Sequence, residues 1–574
     1  MGSILLVFVL VAQHEFFEAE TERDYEVVIS ELERQREEPA DLNAVTMSQL
    51  ARLPYLSIVT AYRIVEYRES NGPYDSLEGL LKVEGMDPSV LEAIRPYLRV
   101  KTKASSRKTF WGRYRYLNRI DQAPGNVEVY SRTIMQYRGL KSYLVTEKDF
   151  GEEDNFDYTG YGLVANLGRR RFALGSYGLE FGRGVVYSSH PTIFEGSTYR
   201  ILSGSRGIVP YTSVLENSGF FGAAYSDSLF ASYTLFYSDL GLDARLDTAG
   251  RVTSLDPDGD HIDSLSMSRK NNLREVVLGG NIEQSWSATT LGLRTYYLRY
   301  NREFAPDDSQ HSFYGDAALV AGLSAAYVSH DLYLFSEVAR AWNNRWGGTA
   351  GLVGDYKPLE VSMVLSYFAS GFYSPKGEMA DEGAAGATLN LAYRLGIAHL
   401  SGNLKVSQEL KSDTSDYVTK LRAEMPLGPL TIKLQLKREF EAGSSIGRGS
   451  TASLSFVPAK SLCCYVRVDD KYVHPAAVER GFGYLGGARA RFWKMSLEGR
   501  YGRFSTDSYD TRLYVYEPDL TGIINNRNLY GEGSCWFVLA GFGVEKFLDL
   551  EAKYSIIEKE VKDGKLGVQL ELKL

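Results

Sequence analysis

The sequence predicts an α+β multidomain chain, a small all-α domain followed by a large antiparallel transmembrane β-barrel of about 24 strands. Three observations carry this. Apolar residues recur with a helical period through residues 39–100 and with a period of two beyond Lys101. The 574 residues include 40 Tyr and 55 Gly but only 17 Pro, which suits a barrel wall with aromatic girdles on its outer face. No apolar run beyond the N-terminus is long enough for a membrane-spanning helix.

Residues 1–19 read as a secretory signal peptide: residues 4–12 are continuously apolar, too short to span a bilayer, and small residues at Ala12 and Ala19 offer cleavage points. The segment before the apolar run lacks Lys and Arg. Residues 20–38 are strongly acidic, with Tyr25, Val28, Ile29 and Leu32 spaced for one amphipathic helix.

Residues 39–104 form the helical domain. Thr46-Met47-Ser48-Gln49 is a capping-box pattern that opens a short helix. A second helix is expected over 57–70, with Ile58, Ala61, Tyr62 and Val65 on its apolar face and Asn71-Gly72-Pro73 as its stop. A short helix follows at 77–82. Asp87-Pro88 then supplies an N-cap and first-turn proline for a last helix over 89–97.

Residues 105–574 form the barrel. Arg113-Tyr114-Arg115-Tyr116, Val127-Glu128-Val129-Tyr130 and Leu513-Tyr514-Val515-Tyr516 alternate. In the final strand Leu566, Val568, Leu570 and Leu572 alternate with Gly567, Gln569, Glu571 and Lys573, the pattern a barrel-closing strand needs. Turns are expected at Gly168-Arg169-Arg170, Asp331, Gly428-Pro429 and Lys562-Asp563-Gly564-Lys565. Residues 239–275 read as one long polar loop. A barrel of this size encloses a water-filled lumen unless something plugs it. Gly182-Arg183-Gly184 ends a strand pattern before a weakly alternating stretch; that stretch is a candidate inward constriction, with Arg183 on the lumen wall.

The segment from Asp41-Leu42-Asn43 through Leu53-Pro54-Tyr55-Leu56-Ser57, Asn71-Gly72-Pro73-Tyr74 and Val83-Glu84-Gly85-Met86-Asp87 to Tyr97-Leu98 resembles the tandem helix-hairpin-helix domain of ComEA-like DNA receptors. In that family each hairpin is Gly-hydrophobic-Gly, because glycine lets backbone N–H groups approach a phosphate closely. The resemblance nominates Ser57 in the first hairpin and Gly85, Met86 and Ser89 in the second as nucleic-acid contacts; the basic–aromatic stretch after the module, which can bind single strands, adds Lys101, Lys103, Arg107 and Lys108. This chain departs from the pattern: the first hairpin is Tyr55-Leu56-Ser57, and Asp87 sits where a phosphate would. Residues 39–104 hold eight basic and eight acidic side chains, whereas phosphate binding draws on a basic surface. The basic–aromatic run from Lys101 to Arg119 reads primarily as headgroup contacts and an interface aromatic belt.

Further on, residues 143–152, Gly175-Ser176-Tyr177-Gly178-Leu179-Glu180-Phe181-Gly182-Arg183, Arg512-Leu513-Tyr514-Val515-Tyr516-Glu517 and Tyr530-Gly531-Glu532-Gly533 resemble helix-hairpin-helix outer-membrane barrel proteins of the Bacteroidetes type. That resemblance implies the order acidic helix, degenerate hairpin module, barrel. It also implies an outer-membrane location with the module in the periplasm.

No catalytic constellation emerges. The chain has no G-x-S-x-G, H-E-x-x-H or P-loop, and its seven His are scattered and read as surface or girdle positions. Its three Cys lack metal-ligand spacing. The Asp256–Asp260 cluster lacks the closing Glu of an EF-hand and reads as a solvated loop. A non-enzyme without cofactor or metal is expected. The expected partners are outer-membrane lipid, the insertion machinery during biogenesis, and a periplasmic protein or DNA at the module. The function expected is a conduit or transport component with DNA among the candidate cargoes. The alternative is a membrane-anchored scaffold whose module binds a periplasmic protein.

Overall fold

The computed structural model describes residues 39–100 and 109–574, apart from single positions and short stretches, the longest being 120–126, 189–206 and 306–312. The expected signal peptide, the acidic helix and the basic residues Lys101, Lys103, Arg107 and Lys108 lie outside the described residues.

The N-terminal module begins with α1 (Met47–Leu50), opened by a capping box in which Thr46 and Gln49 satisfy each other's backbone N–H groups. The long helix α2 (Ile58–Asn71) is capped by the Ser57 side chain and stops at Gly72, whose φ of 89° ends the helical path. The 77–82 helix is a 3₁₀ helix, Leu77–Lys82. α3 (Pro88–Ile94) tightens into 3₁₀ geometry over Arg95–Tyr97, so the last helix is shorter than the sequence suggests. A parallel pair missed by sequence reading, Ala40–Asp41 with Leu98–Arg99, ties the module's two ends together.

The remainder is a closed antiparallel barrel of 24 wall strands. The expected barrel-closing strand, Lys562–Lys573, pairs with the first wall strand, Thr109–Arg119. Strict alternation sets two faces. In the strand Gly315–Val328, Leu319, Leu323 and Tyr327 point outward and are exposed, while Ala318, Val320 and Val328 point inward and are buried. Such an apolar outer face is stable only against lipid. Tyr137, Trp286, Tyr327, Tyr356 and Trp493 lie exposed beside the short turns of one rim, as an interface belt does. Among the described residues no helix is long and apolar enough to cross a membrane; the strands make the crossing.

The two rims differ. One has tight turns, such as Arg138-Gly139, Gly168-Arg169 and Gly428-Pro429; the other carries the long connections, including 181–219, 243–272, 369–383 and 507–531. Several sequence expectations shift. Asp239 and Glu275 belong to wall strands, so the polar insertion shrinks to 243–272 and holds its own small hairpin, Ala244–Leu246 with Val252–Leu255. Asp563 and Gly564 are paired with Ile557 and Ile556 in the wall, so they are not the turn expected at 562–565. Leu513–Glu517 is a strand, but it pairs only with Asn525–Leu529 in a hairpin outside the wall. Arg113 faces inward and meets Glu571 at 2.9 Å, while Tyr114 and Tyr116 face out, so Arg113 does not contact headgroups.

Candidate functional site

The module sits at the short-turn rim, and α2 is what holds it there. Sequence periodicity places Ile58, Ala61, Tyr62 and Val65 on the buried face. In the structure Ile58, Val59, Thr60, Ala61, Arg63 and Ile64 are buried, because α2 is covered from two sides. One side is the module's own core. The other is the barrel: Val328, Tyr333, Phe335 and Val353 from the inner wall join the same apolar cluster as Leu56, Ile58 and Ile64.

Arg63 makes the polar attachment. Its guanidinium meets Asp355 at 2.8 Å and Asp331 at 2.7 Å, and its Nε donates to the His330 carbonyl at 3.0 Å. Arg63 and Asp355 are almost wholly buried, whereas Asp331 is half-exposed. Asp331 and Asp355 flank two neighbouring short turns, so one fork spans two hairpins of the barrel. Beside it the His330 ring lies 3.2 Å from Glu66 on α2 and 3.4 Å from Glu84 in the second hairpin. The Glu66 carboxylate raises the His330 pKa against partial desolvation, and Glu84 adds to the rise.

Inside the barrel, segments of the long connections fold into the lumen. After Glu180 the chain turns inward, and Phe181, Val185, Val186 and Tyr187 are buried. Gly182, at φ 62°, permits the turn; a Cβ there would lie 2.6 Å from the Glu337 carboxylate and 2.7 Å from Arg294. The Arg183 N–H donates to Glu337, its guanidinium donates to the Tyr333 hydroxyl, and Phe335 lies beneath it, 4.3 Å to the ring centroid. From across the lumen comes the inward 370–380 loop. Its Ser374 hydroxyl donates to the Val186 carbonyl at 2.6 Å, and Gly377 lies so close to the carbonyls of Gly184, Val185 and Val186 that a Cβ would meet them at 2.6–2.7 Å. Tyr187, Phe236, Tyr296 and Phe220 stack edge-to-face around this plug. These contacts put Arg183 on the inner side of the wall; most of the stretch after it falls outside the described residues. Between plug and module is a cavity of about 360 Å³, lined by Met47 and Ile58 of the module and by Arg183, Arg294, Glu283 and Tyr333.

A second inward element is the Leu513–Glu517/Asn525–Leu529 hairpin. It covers the inner wall beside the closing strand: Leu513, Val515 and Leu529 pack on Leu485, Phe504 and Cys535. Glu517, buried, is reached by Lys553 at 2.7 Å, Arg527 at 3.0 Å and Arg500 at 3.4 Å.

Residues 35–99 match a family model described as the helix-hairpin-helix motif. A curated relative, an endonuclease/exonuclease/phosphatase family domain-containing protein 1 of Xenopus laevis, is 30% identical over 94 residues; these are 16% of this chain and 17% of that protein. Among solved structures, a ferric enterobactin receptor of Pseudomonas aeruginosa is 9% identical, with a TM-score of 0.41 over 83% of this chain and 81% of that one. The siderophore receptor of Acinetobacter baumannii is 6% identical, with a TM-score of 0.41 over 83% and 82%. Scores this low transfer neither cargo nor mechanism. The chain joins a helix-hairpin-helix domain to a closed β-barrel with an apolar outer face.

The geometry of that domain bears on its ligand. In the helix-hairpin-helix fold the hairpin N–H groups must face outward to meet phosphate. Here Leu56 and Ser57 of the first hairpin are buried, and the Ser57 hydroxyl is spent on capping α2 at Thr60. In the second hairpin Gly85, at φ 100°, lies against Thr60 and Arg63; a Cβ there would meet the Thr60 hydroxyl at 3.1 Å. Met86 is half-buried against the module–barrel cluster, and Ser89 falls in the first turn of α3. Of the nominated residues, Ser57, Gly85 and Met86 lie beside α2 at the barrel rim.

One histidine expectation fails. His261 is buried rather than at the surface: its ring nitrogens lie 2.5 Å from Asp157 and 3.1 Å from Asp243, and its N–H donates to Glu152. Lys270 also binds Asp157, so the cluster carries its own counter-ion and pins two long loops together. At Asp157 desolvation, which raises the carboxyl pKa, is outweighed by Lys270 and His261, which hold it below the usual range. Sequence reading also missed Arg63, Asp331 and Asp355. The available signal was an arginine next to the apolar stripe of α2.

Proposed function

We propose that this chain is an outer-membrane conduit whose helix-hairpin-helix domain closes the periplasmic mouth of the barrel. The observation that carries the reading is the Arg63 fork on Asp331 and Asp355, which turns both hairpins toward the barrel rim. The short-turn rim is the periplasmic one, following the asymmetry of outer-membrane barrels. The hairpin architecture supports the reading by being reused: surfaces that elsewhere meet phosphate here meet wall residues and a turn. Gripping DNA with the same surfaces requires the domain to leave the rim first.

The test is conductance of the purified full chain in planar bilayers, before and after Arg63→Ala. Brief, small openings that become longer and larger in the variant are expected. Silence from both proteins, with insertion verified by heat-modifiable electrophoretic mobility, overturns the conduit reading. Salt-dependent DNA binding by the intact full chain at the affinity of a dedicated receptor overturns the closure reading.

A further inference from the structure

The outer wall changes character toward its long-connection rim, the one opposite the module. On the strands Leu430–Glu441, Ser444–Ala459 and Leu462–Val473 the outward side chains are apolar from the short turns upward, with Leu434, Leu436, Leu454, Val466 and Val468 exposed on the barrel's outside. These columns end in a row of cations. Arg438 pairs directly with Arg448, Arg448 with Tyr472, and Tyr472 with Arg480. Alternation puts the row on the outward face, since Arg438 stands two residues beyond Leu436 on the same strand. The eight residues from Leu430 to Arg438 rise about 27 Å along the strand and about 20 Å along the barrel axis at the usual tilt. The row therefore stands at the far edge of an apolar band about 25 Å tall.

Two guanidinium groups directly opposed across a sheet repel each other. Among the described residues Arg438 and Arg448 form no ion pair, and both are exposed. Arg448 lies over the Tyr472 ring at 4.3 Å to the centroid, and Arg480 approaches the same ring at 5.4 Å, so one aromatic stations two guanidinium groups side by side. Carboxylates enter only at the Arg480 end. Asp470 meets the Arg480 guanidinium at 2.8 Å, and Asp507 accepts the Arg480 backbone N–H at 2.8 Å. Glu439 is turned to the other face of its strand, where Lys437 holds it at 2.6 Å. At three other places along this rim outward cations meet carboxylates: Arg274 forks onto Asp239, Arg299 lies 3.6 Å from Asp316, and Lys562 lies 3.2 Å from Glu558. The Arg438–Arg448 pair departs from that habit.

We infer that Arg438, Arg448 and Arg480 form a binding site for a phosphate-bearing lipid headgroup of the leaflet at this rim, with its acyl chains lying along the apolar columns beneath. The inference rests on the outer wall meeting lipid and is independent of the conduit reading. Charge complementarity selects the occupant. Guanidinium forks match phosphate bidentately, and a phosphate between Arg438 and Arg448 turns a repelling pair into a bridged one. Basic clusters at a membrane surface draw anionic headgroups in this way. A zwitterionic lipid brings its own ammonium group and has no net charge to offer. A free phosphate makes no use of Leu434, Leu436 and Leu454, which stand just below the row. The chain as a whole has a formal net charge of −8, so the row is a local reversal of sign rather than a general basicity.

The experiment is native mass spectrometry of the purified full chain in neutral detergent, with diphosphoryl lipid A and phosphatidylcholine supplied together as probes. Retention of lipid A over phosphatidylcholine is expected. R438Q/R448Q should lower lipid A retention about 30-fold with heat-modifiable mobility unchanged. R438K/R448K keeps the charges without the forks and should fall between. R274Q, in a sector where the cation already has its carboxylate, should retain lipid A as the wild type does; an equal loss there overturns the row as the site. Inorganic phosphate should displace lipid A only in large excess, and displacement at matched concentration overturns the lipid as occupant. Equal retention of both lipids by the wild type overturns the site while leaving a lipid-facing wall. A chain that retains neither lipid and fails to float with phosphatidylcholine vesicles overturns that wall, and the site with it.

Discussion

Arg63 shows how a single side chain changes the meaning of a fold. An arginine buried this far is stable only when its donors are used, and this one spends them on two carboxylates and two carbonyls. Arg63→Ala leaves Asp355 buried without its partner, at a cost of about 3–5 kcal/mol. The expected outcome in the full chain is faster hydrogen exchange and proteolysis of residues 39–100 with the barrel unchanged. Because Asp355 then carries an uncompensated charge, R63A/D355N should be less disrupted than the sum of the single variants, which a double-mutant cycle on the same exchange readout measures. His330 adds a smaller, titratable contact. Its pKa is raised when the module is docked, so its contribution is fully present below the ordinary imidazole range and is lost as pH rises through the raised value. With the ring half-exposed, the effect is screened and worth less than about 1 kcal/mol. Module protection should therefore fall slightly between acidic and mildly alkaline pH, and His330→Gln should flatten that profile.

Elements divide into those legible from sequence and those that are not, and the division is physical. Wall strands were legible because lipid on one side and lumen on the other force a period of two; the last strand announces itself through Leu566, Val568, Leu570 and Leu572. Helices of the module were legible through the Thr46 capping box, the apolar stripe of Ile58, Ala61, Tyr62 and Val65, and the Asn71-Gly72-Pro73 stop. What alternation cannot report is which sheet a strand joins. Leu513–Glu517 alternates as a wall strand does because it too has a buried and an open face, but its buried face meets Leu485 and Phe504 rather than lipid. Nor could the local sequence show that Glu517 would gather Lys553, Arg527 and Arg500 from three distant positions. That carboxyl is pushed up by burial but pulled further down by the three cations, to a pKa of about 2. Its stabilising contribution is present above the ordinary carboxylate range and disappears only as pH falls toward that lowered value. Exchange protection of residues 513–529 should hold at pH 4, whereas Glu517→Gln, which strands buried cations, should abolish it at neutral pH at a cost of about 3–5 kcal/mol.

At the scale of the whole molecule, the proposed conduit would be closed by two independent devices, and removing one should expose the other. The module is attached through one apolar patch and one charged fork at a single sector of the rim, and no wall strand runs through it. The 24 strands close on themselves through the pairing of Thr109–Arg119 with Lys562–Lys573, so the barrel's hydrogen bonding is complete without residues 39–100. A chain that lacks residues 39–100 and is otherwise intact is therefore expected to insert and to show heat-modifiable mobility like the full chain. Its lumen is still narrowed by the inward segments around Val186 and Ser374, which are anchored to Glu337 and Tyr296 in the wall rather than to the module. Conductance should consequently rise on deletion of the module, yet stay well below that of an unobstructed barrel of the same strand number. It should rise again when Gly377→Val forces a side chain into the carbonyls of Gly184, Val185 and Val186 and pries the plug apart. Single-channel recording of the three proteins orders them directly. A deletion that conducts no more than the full chain would place the whole barrier in the plug and leave the helix-hairpin-helix domain without a part in closing the pore.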